Sequence, residues 1–276
     1  MSKVWFVTGS SRGLGRQFVE AALSRGDRVA ATARSTASFD ALVEAHGDNL
    51  LPLAVDVTDK AAVTEAVKRA AEHFGRLDVV VNNAGYAQIG AIEELTEQQL
   101  RDQLETNVFG AIWVIQAVLP YLREQRAGHI IQLSSAAGLI AMPLGGVYQA
   151  SKWALEALNE TLAQEVAEFG VKVTIVEPAG FATRDGKNPD PLANGHLADP
   201  IPAYDGLRTR LAGAMRDQPA GDPAAAAQAL LTLVDTDRPP LRVLFGQGFY
   251  PMLKQVYADR LDTWAQWQDL SARAHG

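Results

Sequence analysis

Val4-Trp5-Phe6-Val7-Thr8-Gly9-Ser10-Ser11-Arg12-Gly13-Leu14-Gly15 sets the architecture of this chain. Val4 to Val7 is a short apolar run that ends at Thr8-Gly9, as a buried strand would. From Leu14 the apolar spacing turns helical, through Phe18, Ala21 and Ala22, and Gly26 closes that helix as a C′ glycine. The glycines between strand and helix follow G-x-x-x-G-x-G rather than the commoner G-x-G-x-x-G. Glycines let a backbone approach a ligand closely, and a helix N-terminus attracts phosphate. In isolation the segment is equally a plain strand-to-helix turn. As the first crossover of an alternating chain it reads as a phosphate-binding loop.

The alternation continues. Strand-like runs at Arg28–Ala33, Leu50–Val55, Val79–Val81, Ile130–Leu133 and Val173–Val176 are separated by helical stripes, with Arg242–Phe245 as a last strand. A helix is expected through Phe39, Leu42 and Val43, and another through Val63, Val67, Ala70 and Phe74. Two long ones are expected over Glu97–Glu124 and Tyr148–Glu168. Apolar strands joined by helices imply a parallel sheet covered on both faces. Right-handed crossovers then give an α/β, doubly wound, Rossmann-like domain of about seven strands. At 276 residues the chain allows one large domain or two small ones, and nothing in its middle looks like a linker. Residues 1–180 read as the core, 181–219 as a lid rich in Gly, Pro, Asn and Asp, and 220–276 as C-terminal helices with the last strand. Leu253, Val256, Tyr257, Leu261 and Trp264 form an amphipathic stripe expected to pack on the domain rather than on another subunit.

A formal charge of −7 argues against nucleic acid as the main partner, so an anionic ligand needs a local basic site. With no cysteine there is no thiolate metal site, disulfide or thiol nucleophile, and the five histidines lack ligand spacing, so no metal is expected. No run is long enough to span a membrane and the N-terminus does not resemble a signal peptide; a cytoplasmic location is the expectation.

Further segments carry chemistry. The second strand ends in Ala33-Arg34, where dinucleotide folds often place an acidic residue on the adenosine ribose. Arg34 and Arg12 without a carboxylate suit a 2′-phosphate, and so NADP over NAD; the alternative is two solvated arginines. Asn82-Asn83-Ala84-Gly85 follows the fourth strand, where strand ends line a ligand crevice and small residues admit a flat ring, though Asn, Ala and Gly also make ordinary turns. Asn107 lies inside the first long helix, a poor position for Asn. Tyr148 and Lys152 stand four apart, one helical turn, with Ser135 thirteen positions upstream. An ammonium beside a phenol lowers its pKa and fits Tyr148 as a general acid/base.

Together, Thr8–Gly15, Asn82–Gly85, Asn107, Ser135 and Tyr148-Gln149-Ala150-Ser151-Lys152 resemble the short-chain dehydrogenase/reductase family, in its compact single-domain branch, over about Lys3 to Thr183. The resemblance implies a catalytic tetrad of Asn107, Ser135, Tyr148 and Lys152. It implies cofactor contacts from Gly9, Ser11, Arg12, Gly13 and Leu14. Asp56, Val57, Ala84 and Gly85 would border the adenine, beside Asn83. Pro178, Gly180, Phe181 and Thr183 would follow the sixth strand at the carboxamide, where Ala179 replaces the family's first glycine. In the implied mechanism NADP(H) exchanges hydride with a carbonyl carbon, Tyr148 transfers the proton, Ser135 holds the oxygen, Lys152 lowers the Tyr148 pKa and holds the ribose, and Asn107 holds a relay water.

Tyr86, Met142, Leu144, Phe181 and Tyr204 flank these motifs or lie in the lid, and either line a pocket for a hydrophobic carbonyl substrate or pack the core. The resemblance also implies a homodimer or homotetramer through the two long helices, with Ala154, Leu155, Leu158, Leu162 and Val166 as the apolar stripe or as core. Two rival readings use the same fold: epimerisation or dehydration of a nucleotide sugar, and a non-catalytic NADP(H) sensor.

Overall fold

The computed structural model describes residues 2–182, 195–216 and 220–275. Its first half alternates strictly: β1 (Val4–Val7), α1 (Gly13–Ser24), β2 (Arg28–Ala33), α2 (Asp40–His46), β3 (Leu50–Ala54), α3 (Lys60–Phe74) and β4 (Val79–Asn82). A short β5 (Gln88–Ile89) leads to α4 (Glu97–Leu104), a π-helical turn over Glu105–Phe109, and α5 (Gly110–Gln125). Then come β6 (Gly128–Leu133), α6 (Gly146–Val166), β7 (Val171–Pro178) and β8 (His196–Leu197). The chain continues with α7 (Asp205–Arg216), α8 (Pro223–Asp235), β9 (Arg242–Phe245), α9 (Phe249–Gln266) and α10 (Gln268–His275).

Seven strands form one sheet in the order β3-β2-β1-β4-β6-β7-β9, and every neighbouring pair is parallel. The order reverses between β1 and β4, which opens a crevice beyond the carboxyl ends of those strands. Side chains alternate across the sheet, as the two-residue strand period requires. Val4 and Phe6 face the layer of α3, α5 and α6, with Val67, Val118 and Leu162. Trp5 and Val7 face the layer of α1 and α8, with Phe18, Val19 and Leu230. Trp5 is wholly buried, and its indole N–H donates to Asp27 at 2.8 Å, so the ring is buried without orphaning its polar tip. Pro52 lies within β3, one of the two edge strands, opposite Ala31.

Two expectations change. The expected long helix runs over Glu97–Gln125 but is not α throughout, because the π turn inserts an extra residue and rotates the face that follows. The C-terminal stripe packs only at its start. Leu253 is buried with Leu139 and Ile140, whereas Leu261, Trp264 and Trp267 are 60–63% exposed. The helix runs past the edge of the core before its apolar face is used up.

Candidate active site

The loop from Thr8 to Gly13 is shaped by close backbone packing. Gly9 (φ +63°) lies so near the strand ends that a Cβ there would come 2.7 Å from Ala84 Cα. Thr8 Oγ1 accepts from the backbone N–H groups of Asn83 and Ala84, both at 3.0 Å. Asn83 Nδ2 donates back to the carbonyls of Thr8 (2.9 Å) and Gly9 (3.0 Å). The Gly-rich loop and the Asn82–Gly85 turn are thereby one braced unit at the switch point. Arg12 occupies the N-cap of α1 in extended conformation, and no side chain caps the helix. Gly13 (φ +60°) turns the chain into it. An uncapped helix start beside exposed Ser11 and Arg12 fits a diphosphate.

Arg34 is exposed at the end of β2. Asp56 lies beyond β3, and its carboxyl is held below the usual range, first by the Thr58 backbone N–H at 3.0 Å, then by the Thr58 hydroxyl and the nearby Arg34 charge. Val57 is buried, with Gly110 so close that a Cβ there would meet Val57 Cγ2 at 2.9 Å. Arg34 and Asp56 thus stand near one another beyond the ends of β2 and β3, with Arg12 at the N-cap of α1.

Ser135, Tyr148 and Lys152 come from the end of β6 and the start of α6. Ser135 opens a 3-10 turn over Ala136–Gly138, and its Oγ accepts from Ala137 N at 3.1 Å. Lys152 is buried, donates through Nζ to the Leu133 carbonyl at 2.8 Å, and lies 5.8 Å from the Tyr148 ring centre. Burial pushes its pKa down to about 8, opposed by Glu156. Tyr148 is half-buried, and desolvation raises its pKa while the Ser135 hydroxyl draws it back. The net shift is upward, opposite to the lowering that the Tyr148–Lys152 spacing suggested. Desolvation of the phenol is the largest cause, and the Lys152 ammonium is engaged by the Leu133 carbonyl.

Asn107 is buried in the π turn. Its Nδ2 donates to the Tyr86 carbonyl and to Ser151 Oγ, both at 3.0 Å, and its Oδ1 accepts from Tyr86 N at 3.1 Å. Ser151 Oγ in turn donates to the Tyr148 carbonyl at 2.6 Å. Asn107 therefore joins the crevice turn to α6 through Ser151, a residue that sequence reading passed over because Ser is ordinary in a helix.

The expected pocket residues divide. Leu144 is buried, and its carbonyl accepts from Gly90 N at 2.8 Å. Met142 is pinned at both backbone groups by the Gln149 amide, at 3.0 and 2.9 Å. The Tyr86 ring lies 4.7 Å from that of His196 in β8. Phe181 lies against Gly221 beside the α1–α8 layer. Tyr204 turns outward and donates to Glu93 at 2.6 Å. Pro178 closes β7, with Gly180 just beyond it in open space. Thr183 lies outside the described residues. In the expected dimer stripe, Leu155, Leu162 and Val166 are core, Ala154 is half-buried and Leu158 is 39% exposed.

The segment from Ile201 to Arg208 is held by residues no motif marks. Glu94 is buried between the crevice and α7. It accepts from Ala91 N and Ile201 N, both at 2.7 Å, and pairs with Arg208. That bond from Arg208, then the two backbone N–H groups, pull its pKa down to about 2 against the cost of burial. The partners lie more than a hundred positions apart, so nothing local could announce them.

A sequence profile described as short chain dehydrogenase matches residues 3–190. The chain is similar to oxidoreductase BOA17 of Botryotinia fuckeliana, at 42% identity over 247 residues and 89% of each chain. It is similar to the 3-ketodihydrosphingosine reductase of Bacteroides thetaiotaomicron, at 33% identity over 93% of this chain and 91% of that one. Among solved structures, a short-chain dehydrogenase from Streptomyces avermitilis superposes with a TM-score of 0.88 at 38% identity, covering 99% of this chain and 98% of the other.

Proposed function

Because the chain belongs to the short-chain dehydrogenase family, we propose that it is an NADP(H)-dependent oxidoreductase interconverting a hydrophobic ketone or aldehyde with its alcohol, with Tyr148 as general acid/base. One observation carries the reading: Ser135, Tyr148 and Lys152 gather around the end of β6, with the phenol drawn by the Ser135 hydroxyl. The nicotinamide cofactor, when bound, gives hydride to the substrate carbon or takes it away. The N-terminus of α1, with Ser11, Arg12, Gly13 and Leu14, would hold its diphosphate. Arg12 and Arg34 would take a 2′-phosphate, and Asp56, Val57 and Ala84 the adenine side.

In the reduction direction, Ser135 Oγ would donate to the substrate oxygen and stabilise charge as it develops. Tyr148 holds the proton and releases it to the alkoxide. Burial raises the Tyr148 pKa, so the phenol keeps its proton near neutral pH, the form that reduction requires. Lys152 would stabilise the phenolate left behind and hold the ribose hydroxyls. Asn107 fixes α6 at Tyr148 through Ser151.

A hydrophobic substrate agrees with the lipid-like ketone named for the Bacteroides relative and with the apolar character of Tyr86, Met142 and Phe181 near the crevice. The same reading includes a homodimer through α4, α5 and α6, where Leu100, Phe109, Trp153 and Leu158 are exposed.

The test is the initial rate of NADPH and NADH oxidation against a panel of hydrophobic ketones. Turnover with NADPH that falls at least about a hundredfold in Tyr148→Phe, with NADPH affinity kept, is expected. Arg34→Glu should move the preference toward NADH by about tenfold or more. NADPH binding without turnover of any carbonyl would overturn the enzymatic reading in favour of a sensor.

A further inference from the structure

Tyr148, Lys152 and Glu156 recur every four residues along α6, one turn apart. Lys152 and Glu156 are equally buried, each 6% exposed. Among the described residues Lys152 makes no ion pair within 4 Å, and its Nζ donates to the uncharged Leu133 carbonyl. A buried ammonium held only by a dipole is costly unless an opposite charge lies close. Glu156 is that charge on its own helix face.

Packing alone does not explain a carboxylate at this position, since one buried without partners is strongly disfavoured. Glu156 is paired with Arg242 of β9, which also reaches Glu177 of β7 at 3.3 Å and Glu160 at 2.7 Å. One guanidinium thus serves three carboxylates, and the cluster keeps an excess of negative charge. Its consequence is visible at Glu177, pushed up to about 7 by burial and by Glu156. The second Glu156 oxygen faces the Ser135 loop. A Cβ on Gly138 would come 3.0 Å from Glu156 Oε1 and 2.7 Å from Ser134 Oγ. Neither of those two atoms makes a hydrogen bond of normal geometry; burial raises the Glu156 pKa, and the Ser134 hydroxyl, then Arg242 and Lys152, oppose that rise in favour of the carboxylate.

We propose that Glu156, pinned by Arg242, is a positioning residue of the candidate site: the buried counter-charge that keeps Lys152 an ammonium, and a support beneath the loop that carries Ser135. The role attributed to Lys152 rests on the dehydrogenase reading; the electrostatic pairing does not. The charged and titratable groups around the pair are Tyr148 and Glu160 on α6, Glu177 on β7, Arg242 on β9, and Lys254 and Arg260 on α9. Taking the negative charge from Glu156 leaves Lys152 with less opposing charge, so Lys152 should lose its proton at lower pH.

The experiment follows the ε-carbon resonance of Lys152 through a pH titration of ligand-free protein carrying 13C-labelled lysine. The chain has seven lysines, and Lys152→Arg assigns the peak. In Glu156→Gln the midpoint should fall by about one pH unit, roughly tenfold in acid constant. Glu156→Asp should recover part of it. Should Glu156→Gln fail to fold, Glu156→Met serves instead, because it removes the same charge while keeping the side chain's length and should move Lys152 the same way. A role confined to structure would lower the melting temperature and leave the midpoint in place; that result overturns the proposal. If the protein turns over a carbonyl, the alkaline limb of kcat/KM should shift with the resonance. Because the resonance is read without cofactor or substrate, failure to find turnover leaves this test intact.

Discussion

Asn107 donates to Ser151 Oγ at 3.0 Å, and that one bond couples the crevice turn to the helix that carries Tyr148 and Lys152. The rest of the Asn107 amide is spent on the Tyr86 backbone. In Asn107→Ala the Tyr86 N–H loses its partner, at a cost of about 1–3 kcal/mol for a buried group left unmade, while the Tyr86 C=O keeps the Gln103 amide at 2.9 Å. The expected result is a loss of about 2 kcal/mol or more in urea unfolding, with kcat falling further than cofactor affinity. An unchanged unfolding midpoint would show that water replaces the amide and that the coupling is unimportant.

The Glu94–Arg208 pair should govern the segment from Ile201 to Arg208. Glu94→Gln keeps the shape but removes the charge that Arg208 answers. Hydrogen exchange at the Ile201 amide, now bonded to Glu94, should then quicken markedly, while amides of β6 stay protected. The pH dependence has a definite sign. The folded pKa lies below the ordinary 4.5, so this stabilisation is complete above about 4.5 and disappears as pH falls toward 2. Equal exchange at pH 7 in variant and parent would remove Glu94 from any role in holding this segment.

His129 should set part of the acid sensitivity. It is buried in β6 with Nε2 at 2.9 Å from Thr174 Oγ1, and burial, then the charges of Lys172 and Lys3, push its pKa down to about 4. The unfolded state binds the proton first. The stabilisation is therefore full above about pH 6.5 and is lost as pH drops toward 4, amounting to about 3 kcal/mol at most. His129→Gln should flatten the stability curve between pH 6.5 and 4 relative to the parent; parallel curves would refute the assignment.

Gly9 and Gly213 make a matched pair of substitutions. At Gly9 both φ (+63°) and the 2.7 Å approach to Ala84 Cα oppose a side chain, so Gly9→Ala should cost about 2 kcal/mol or more and weaken cofactor binding. Gly213 sits in α7 with open space around it, and Ala there should stabilise by about 0.5–1 kcal/mol. Thermal unfolding of the two variants gives the comparison directly.

The sheet was legible because its period is local. Val4–Val7, Val79–Val81 and Ile130–Leu133 announce buried parallel strands, and the glycines between β1 and α1 mark where the backbone must come close. Asn107, Ser135, Tyr148 and Lys152 were visible as unusual residues in patterned places. Their electrostatics were not, since the Tyr148 and Lys152 pKa values follow from burial and from a Leu133 carbonyl. Glu94 with Arg208 and Glu156 with Arg242 were also hidden. Each pair joins distant parts of the chain, and a single carboxylate in a helix or turn looks like any solvated one. The C-terminal stripe misled because amphipathic spacing states that a face is apolar, not what covers it.

Pro52 interrupts one edge strand of the sheet. It deprives that border of a backbone donor, and a strand without its full row of donors is a poor template for a newcomer. Stacking of copies border to border into a longer ribbon is therefore discouraged on the β3 side. Growth of a continuous ribbon needs both borders of the sheet, so closing one of them is enough to keep such growth finite.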